Sequence, residues 1–393
     1  MKPSKPTIII VAFNRVKSFK RLLRSVALAD YNNHCPNLVI SIDYSEYCQS
    51  EIEAISKQFE WHGEKRIICH ETNLGLKNHI FFCANLSQDY ESVLILEDDL
   101  FVSPGYYNYC INALNTCQTN SHIAGIALYN NTYDEASALP FEAIKADGDF
   151  FLMQVPCSWG QIWTKQQWRE FHDWYSNEYN KSNLKRLPKG IHEWSDHSWK
   201  KPFFLYLMEK QKFFLYPYTS YSNNLNELGT NVTDKNYKFL NQISLTSGIG
   251  RLKLAASAPK YDEAYNISPA YINKYNKVLR NYNYEIDFYG AKLHNYDDNQ
   301  WLITTLKSLR YERSFGLSLK PIELNLIFNI SGNSIFLTQK KFIVKNQVNK
   351  KLIDYHYPLP KWYYPFFQKS LISQAFAKSR HLFKRLIKSK RQY

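Results

Sequence analysis

Three consecutive carboxylates, Glu97, Asp98 and Asp99, directly follow the apolar run at residues 93–96. Such a run is typical of a strand buried on both faces of a parallel sheet, and ligands of open α/β sheets bind beyond the carboxyl ends of these strands. Adjacent acids repel one another, which favours a site where a cation and a phosphate-bearing ligand neutralise them. A surface turn after a core strand would give the same pattern, so the surrounding sequence must decide.

Polar residues also follow the other predicted strands. Asn14 and Arg15 come after the first strand, and Asp43 ends the second. Asn73 and Lys77 surround the turn after the third. The carboxyl ends of parallel strands meet at one edge of the sheet, so this edge would offer a cation for phosphates, a carboxylate for ribose or base, and a metal ligand. The sequence has neither Gly-x-Gly-x-x-Gly after the first strand nor Gly-x-x-x-x-Gly-Lys, which argues against dinucleotide and P-loop folds.

The elements that would position these residues alternate between strand and helix. Hydrophobic periodicity predicts strands at 7–13, 38–43, 66–70, 93–97 and 123–128, with helices at 15–28, 51–59, from 73 and at 104–117. This alternation predicts an α/β fold with a mostly parallel sheet flanked by helices. A strand at 150–156 and an aromatic helix at 163–175 follow. We predict a first domain over 1–235, a smaller α+β or mainly helical region over 236–354, and a tail over 355–393.

The amino-acid composition indicates the cellular compartment in which we expect the protein to work. The chain has 393 residues, a formal net charge of +14 and seven cysteines without a Cys-x-x-Cys pair, which predicts reduced cysteines in the core. No signal-peptide or membrane-spanning pattern is expected, so we predict a cytoplasmic protein. The tail is basic and aromatic, with apolar residues at helical spacing. This pattern favours peripheral binding to the anionic inner face of the cell membrane over a solvated terminal helix, and no motif indicates nucleic acid.

The polar residues resemble the motifs of a known family. Asn14-Arg15 and Asp43 each end a strand, and an Asn-Leu-Gly-Leu sequence at 73–76 and a Leu-Glu-Asp-Asp-Leu sequence at 96–100 follow. A Trp-Gly-x-x-Trp sequence occupies 159–163. Together, over residues 5–232, these resemble nucleotide-sugar glycosyltransferases of the Rossmann-like GT-A fold. The resemblance is to bacterial family 2-type enzymes of surface polysaccharide synthesis and to the Golgi N-acetylglucosaminyltransferase I group.

The resemblance implies a role for each residue. Asp99 would hold Mn²⁺ or Mg²⁺ against the diphosphate of the donor, which agrees with the preference of these cations for carboxylate and phosphate oxygens. The remaining donor-binding residues implied are Asn14, Arg15, Asp43, Lys77, Glu97 and Asp98. The donor would be a nucleotide sugar, with uridine diphosphate as the expected carrier. The acceptor would be a glycan or a lipid-linked saccharide.

An inverting transfer also needs a base for the acceptor hydroxyl. The Glu-Trp-Ser-Asp-His sequence at 193–197 resembles the Trp-Asp-Asp neighbourhood that supplies this base in the Golgi group, which implies Asp196 as base. Glu193 and Asp173 remain alternatives. Trp159 and Trp194 are the expected acceptor-stacking residues.

The expected activity is that of a metal-dependent hexosyltransferase in surface polysaccharide synthesis. A nucleotidyltransferase of sugar phosphates would share the sheet and the acids. A non-enzymatic membrane- or polysaccharide-binding module would use the basic C-terminal part instead.

Overall fold

A computed structural model describes residues 5–117, 120–225, 245–246, 252–344 and 350–357. Within these ranges a nine-stranded central sheet carries the main core, and helices flank it. The strands of the described chain are β1 (Thr7–Ala12), β2 (Leu38–Ile42), β3 (Lys65–Cys69), β4 (Ser92–Glu97), β5 (Leu100–Val102), β6 (Ile123–Ala127), β7 (Tyr133–Asp134), β8 (Leu139–Pro140), β9 (Phe150–Met153), β10 (Gln161–Thr164), β11 (Phe213–Pro217), β12 (Ser222–Asn224), β13 (Lys260–Tyr261), β14 (Tyr284–Ile286), β15 (Trp301–Thr304), β16 (Arg313–Phe315) and β17 (Ile335–Gln339).

The helices show the amphipathic spacing that the sequence predicts. The α-helices are α1 (Val16–Ala27), α2 (Gln49–Gln58), α3 (Gly75–Asn85), α4 (Ser87–Tyr90), α5 (Tyr106–Cys117), α6 (Lys165–Asn177), α7 (Lys189–His192), α8 (Lys200–Glu209), α9 (Pro269–Tyr275), α10 (Glu323–Ile327) and α11 (Lys350–His356). In α1 the buried side chains include Phe19, Leu22 and Val26, which recur every three or four residues and pack on the sheet. Short 3₁₀ helices span Lys181–Arg186, Leu279–Asn281, Leu293–Asn295 and Lys340–Phe342.

The strand order places a crevice beside the acidic residues. The order is β13-β9-β11-β6-β10-β4-β1-β2-β3. Strands β4, β1, β2 and β3 are mutually parallel, β6 and β11 run the same way, and β10, β9 and β13 run opposite. The chain passes from β1 to β2 on one side, whereas β4 lies on the other. In open α/β sheets this reversal marks where ligands bind, beyond the carboxyl ends of the strands.

The α/β class with a mostly parallel sheet is therefore confirmed, and two local expectations are corrected. The helix predicted at 163–175 begins only at Lys165, because residues Gln161–Thr164 form a strand between β4 and β6. A Thr164–Gln167 capping box starts the helix. The cysteines of the described chain are free, yet Cys35 and Cys69 are exposed rather than in the core.

The C-terminal half of the described chain has more strand than its weak periodicity suggests. Strands β14, β15, β17 and β16 form a separate four-stranded sheet, and β13 adds an edge to the central sheet. Residues Met1–Lys345 form one compact unit and Asn346–Tyr393 a second. The domain boundary near residue 235 stays a prediction. Residues 358–393, which carry most of the predicted membrane-binding tail, lie outside the described chain. The described part of the chain contains no helix that is long and apolar enough to cross a bilayer.

Candidate active site

The segment after β1 meets the segment after β4 at the crevice. The backbone N–H of Phe13 donates to Asp98 Oδ2 over 3.1 Å, and the Asp98 N–H donates to the Val11 carbonyl oxygen over 3.0 Å. Arg15 forms salt bridges with both acids, at 2.6 Å to Asp98 Oδ1 and 2.5 Å to Asp99 Oδ2. One guanidinium therefore bridges two neighbouring carboxylates, a geometry that its planar fork permits.

Two of the three acids, Glu97 and Asp98, are costly to ionise in this position. Burial, and then the neighbouring Asp99 carboxylate, raise the pKa of Glu97 to about 8. Burial also raises the pKa of Asp98 to about 6, although Arg15 opposes this shift. Carboxyl groups with such perturbed pKa values occur in functional sites, where burial and neighbouring like charges are part of the chemistry, and in structural ion-pair networks. The triplet is therefore an electrostatically strained cluster that a further cation would stabilise.

The acidic triplet suits a divalent cation that takes only one or two of its ligands from the described residues. The Asp99 Oδ1 atom is buried and accepts no hydrogen bond from the described chain. No group of three or more His, Cys, Asp or Glu side chains in the described chain is arranged to hold a metal by itself. A hard cation such as Mg²⁺ often takes one or two carboxylates and completes its shell with phosphate oxygens and water. The orphaned oxygen of Asp99 suits that arrangement.

Asp43 joins the end of β2 to the start of α3. Its Oδ1 atom accepts from the N–H groups of Tyr44 (2.9 Å) and Leu74 (2.8 Å), and its Oδ2 atom accepts from the Gly75 N–H (3.1 Å). The side chain is 3% exposed. A carboxylate has about four lone-pair sites, and three are used here. Asp43 thus holds the first turn of α3 at the sheet edge, where its predicted contact with the donor stays a prediction.

Lys77 and Asp196 line a second feature, a cavity of about 230 Å³. The lining consists of Lys77, Tyr175, Tyr179, Lys181, Leu184, Asp196, Lys201 and Pro202. Helix α3 follows the carboxyl end of β3. Helix α8 ends near the start of β11, which runs parallel to β4, so α8 begins at the edge where β4 ends. The cavity therefore lies on the edge of the sheet that carries the acids.

Asp196 is an ion-paired carboxylate in this structure. Its Oδ2 atom lies 2.7 Å from Lys181 Nζ and its Oδ1 atom 3.3 Å from Lys201 Nζ. The hydrogen bond from Lys181, and then that from Lys201, hold the pKa of Asp196 below its usual range. All three carboxylates considered for the base are exposed, and of the three Asp196 alone is part of the cavity lining. The role of Asp196 stays a prediction.

Lys200, which the sequence did not single out, connects the acids with the predicted acceptor side. Its ammonium donates to both carboxylate oxygens of Glu135 at 2.7 Å and lies 5.2 Å from the centre of the Trp194 ring. Burial raises the pKa of Glu97, and the positive charge of Lys200 makes a small opposing contribution. Lys200 and Glu135 are separated by 65 residues in sequence, so no local pattern could pair them.

The remaining predicted residues lie around these contacts. Asn14 is exposed next to Arg15. Trp159 is partly buried, and its ring meets Tyr129 edge to face with centroids 4.5 Å apart. Trp194 is partly buried and packs edge to face on Phe204 at 5.8 Å. The structure thus brings Arg15, Asp98 and Asp99 into direct contact, but places Lys77 with Asp196 in the cavity rather than in contact with those acids.

Comparisons with known proteins give only distant matches. No family model and no curated protein sequence matches this chain. Among solved structures, GalNAc-T7 with UDP, GalNAc and Mn²⁺ matches at 10% identity and a TM-score of 0.38, over 55% of this chain and 43% of that one. S. aureus TarS 1-349 matches at 12% identity and 0.35, over 55% and 59%. Mouse xyloside xylosyltransferase 1 matches at 12% and 0.37, over 53% and 83%.

This chain thus spans less than two thirds of the first two of these structures. Because the TM-scores and identities are low, we base the function on the chain's own residues.

Proposed function

We propose that the protein is a metal-dependent glycosyltransferase of the GT-A type. It would move a sugar from a nucleoside diphosphate donor, with uridine diphosphate as the expected carrier, to a glycan or lipid-linked acceptor in surface polysaccharide synthesis. The observation that carries this proposal is the acidic triplet beyond β4, at the reversal of strand order, where Asp99 has a buried carboxylate oxygen without a donor. A nucleotide diphosphate and its cation supply the charges that such a site lacks.

The donor side uses the residues around the crevice. Asp99 would hold Mn²⁺ or Mg²⁺, and the cation when bound would stabilise the charge that develops on the departing diphosphate. Arg15 lies against Asp98 and Asp99, where its guanidinium would support the same charge. Glu97, Asp98, Asn14 and the turn that Asp43 anchors would position the sugar and the nucleoside.

The acceptor side uses the cavity and the start of α8. Asp196 would take the proton of the attacking hydroxyl, with inversion at the anomeric carbon. Trp194 and Trp159 would stack on acceptor sugars. Association with the inner face of the cell membrane through the basic tail is a separate part of the proposal, because that segment lies outside the described residues.

A donor-hydrolysis assay tests the proposal. The full chain is incubated with Mn²⁺ and a panel of nucleotide sugars, and nucleoside diphosphate release is measured. We expect slow release for at least one donor, its loss on chelation, and its loss in Asp99→Asn. Asp89→Asn is the matched control, because Asp89 is exposed in α4, just before the opposite end of β4.

The same assay separates the rivals. Formation of nucleoside triphosphate with added pyrophosphate would show a nucleotidyltransferase. Absence of turnover with every donor, together with retained binding to anionic vesicles, would show a binding module. Either result would overturn the proposal.

A further inference from the structure

The cavity that Lys77 and Asp196 line carries more positive than negative charge. Three lysines and one aspartate contribute to it. Asp196 bridges Lys181 and Lys201. Within the described chain Lys77 has no ion-pair partner, and its ammonium lies 5.1 Å from the centre of the Tyr175 ring. A cavity with this excess of cations attracts an anionic ligand.

Lys201 has an N–H donor for which the described residues provide no acceptor. The residue is 5% exposed, and its ammonium donates to the Trp194 carbonyl oxygen over 2.7 Å and to Asp196 Oδ1 over 3.3 Å. An ammonium has three N–H donors. Two of them meet acceptors among the described residues, so the third suits an oxygen of a bound molecule.

The other walls suit a sugar ring. Tyr175 and Tyr179 stack with ring centroids 5.0 Å apart, and Leu184 and Pro202 add apolar surface. Aromatic side chains with polar tips provide both an apolar face and a hydrogen-bonding group. The volume of about 230 Å³ is below the roughly 300–1,000 Å³ of pockets for drug-sized ligands. The cavity therefore suits one small ring rather than a whole nucleotide sugar.

We propose that this cavity binds an acidic monosaccharide unit of the acceptor, with the carboxylate or phosphate of that unit held by Lys77, Lys181 and Lys201. This inference rests on the proposed function, because it names the acceptor of the same reaction. The anion would share the two lysines that Asp196 now bridges. A neutral sugar would find the same aromatic walls but would leave the excess cations unpaired, so the charge sets the preference.

Calorimetric titration of the full chain tests this inference. The probes are methyl glucuronide, methyl glucoside 6-phosphate and, as the neutral probe, methyl glucoside. We expect at least one acidic probe to bind about tenfold more tightly than the neutral one, since one exposed charge pair is worth up to about fivefold and the cavity offers three lysines. Whichever acidic probe binds more tightly identifies the anion. Equal affinity for all three probes would overturn the inference.

Lysine variants localise the effect. Lys181→Gln should weaken the acidic probe about two- to fivefold and leave the affinity for the neutral probe nearly unchanged. The Lys181 side chain is 69% exposed, so this substitution should leave the fold intact. Lys189→Gln is the matched control, because Lys189 is an equally exposed lysine in α7 that is not part of the cavity lining. Equal effects of the two substitutions would contradict the assignment.

A competition experiment separates this inference from the proposed function. If UDP with Mn²⁺ displaces the acidic probe, the cavity belongs to the donor phosphates and the inference fails. If the acidic probe binds alongside UDP, the inference stands. Binding of the acidic probe without any nucleotide-sugar turnover would overturn the proposed function and with it the acceptor role, and would leave the cavity as a binding site for an acidic saccharide. Manganese-dependent turnover without binding of either acidic probe would overturn the inference alone.

Discussion

Arg15 is the residue whose removal tests the electrostatics of the acidic triplet most directly. Its guanidinium contacts Asp98 Oδ1 at 2.6 Å and Asp99 Oδ2 at 2.5 Å, and the Asp98 side chain is 2% exposed. The substitution Arg15→Met keeps most of the side-chain volume and removes the charge. It leaves three consecutive acids without the cation that bridges two of them.

The expected cost follows from the burial of the pair. Removing one partner of a buried ion pair costs about 3–5 kcal/mol, because the remaining charge stays desolvated. The Arg15 side chain is 26% exposed, so solvent screens part of the interaction and we expect a loss of about 2–3 kcal/mol in the free energy of unfolding. Arg15→Lys keeps the charge but not the planar fork, and should lose less.

Urea unfolding in the presence of a chelator measures this loss. Arg24→Met is the matched control, because Arg24 is exposed in the last turn of the same helix. It should lose under about 1 kcal/mol, which is the size of a favourable charge–dipole interaction at a helix end. A loss below about 0.5 kcal/mol for Arg15→Met, within the range of ordinary surface substitutions, would refute the reasoning.

Added Mn²⁺ extends the same experiment to the cation. If the triplet is a cation site, Mn²⁺ binding to the folded state should restore part of the stability of Arg15→Met, since a ligand that binds only the folded state stabilises it. The wild-type protein should gain less, because Arg15 already neutralises the same carboxylates. Equal gains in Arg15→Met, Arg24→Met and wild type would show that the added ion acts elsewhere.

Three further predictions concern the neighbouring residues. Asp43→Asn should lower the free energy of unfolding by about 2–3 kcal/mol, because an amide cannot accept from all three backbone N–H groups. The control substitution Glu46→Gln, at an exposed residue, should change the free energy of unfolding by less than about 0.5 kcal/mol. Comparable urea midpoints for the two variants would contradict the role of Asp43 in holding the first turn of α3. Asp196→Asn should reduce sugar transfer by about 10²- to 10⁴-fold while UDP binding is unchanged; full turnover would reject Asp196 as base. Burial holds the pKa of His79 at about 4, below the ordinary 6.5. As the pH falls from about 6.5 towards 4, this histidine is protonated in the unfolded chain before it is protonated in the folded one, so the free energy of unfolding decreases. His79→Gln should therefore show a flatter pH dependence of the free energy of unfolding over that interval.

The sequence was sufficient to predict the elements beside the acidic triplet and Arg15, because the patterns of those elements are local. Strand β4 is a continuous apolar run, and the helix after β1 buries residues at helical spacing. The same reasoning missed β10, because Trp163, the one aromatic residue in 161–164, is predicted as part of the aromatic-rich helix that follows. The Thr164–Gln167 capping box is the local signal that could have placed the helix start correctly.

Contacts between residues that are far apart in the sequence could not be predicted from such local patterns. Lys200 pairs with Glu135 across 65 residues, and Lys181 meets Asp196 across 15. Each of these residues alone resembles an ordinary surface charge. The cavity itself depends on α3, α6 and α8 converging at one edge, which requires the order of β10 and β11 in the sheet. The sequence could therefore predict that Arg15 and the acids would meet at this edge, but not which side chains the cavity brings together.

The start of α8 places two neighbouring cations on the predicted acceptor side. Lys200 binds Glu135, whereas its neighbour Lys201 binds Asp196. Adjacent Cα atoms are only about 3.8 Å apart, so the two ion pairs start from neighbouring backbone positions. In the proposed transfer this short segment would hold Asp196 and the residues around Trp194 together, and such positioning is what a reaction between a donor and an acceptor requires.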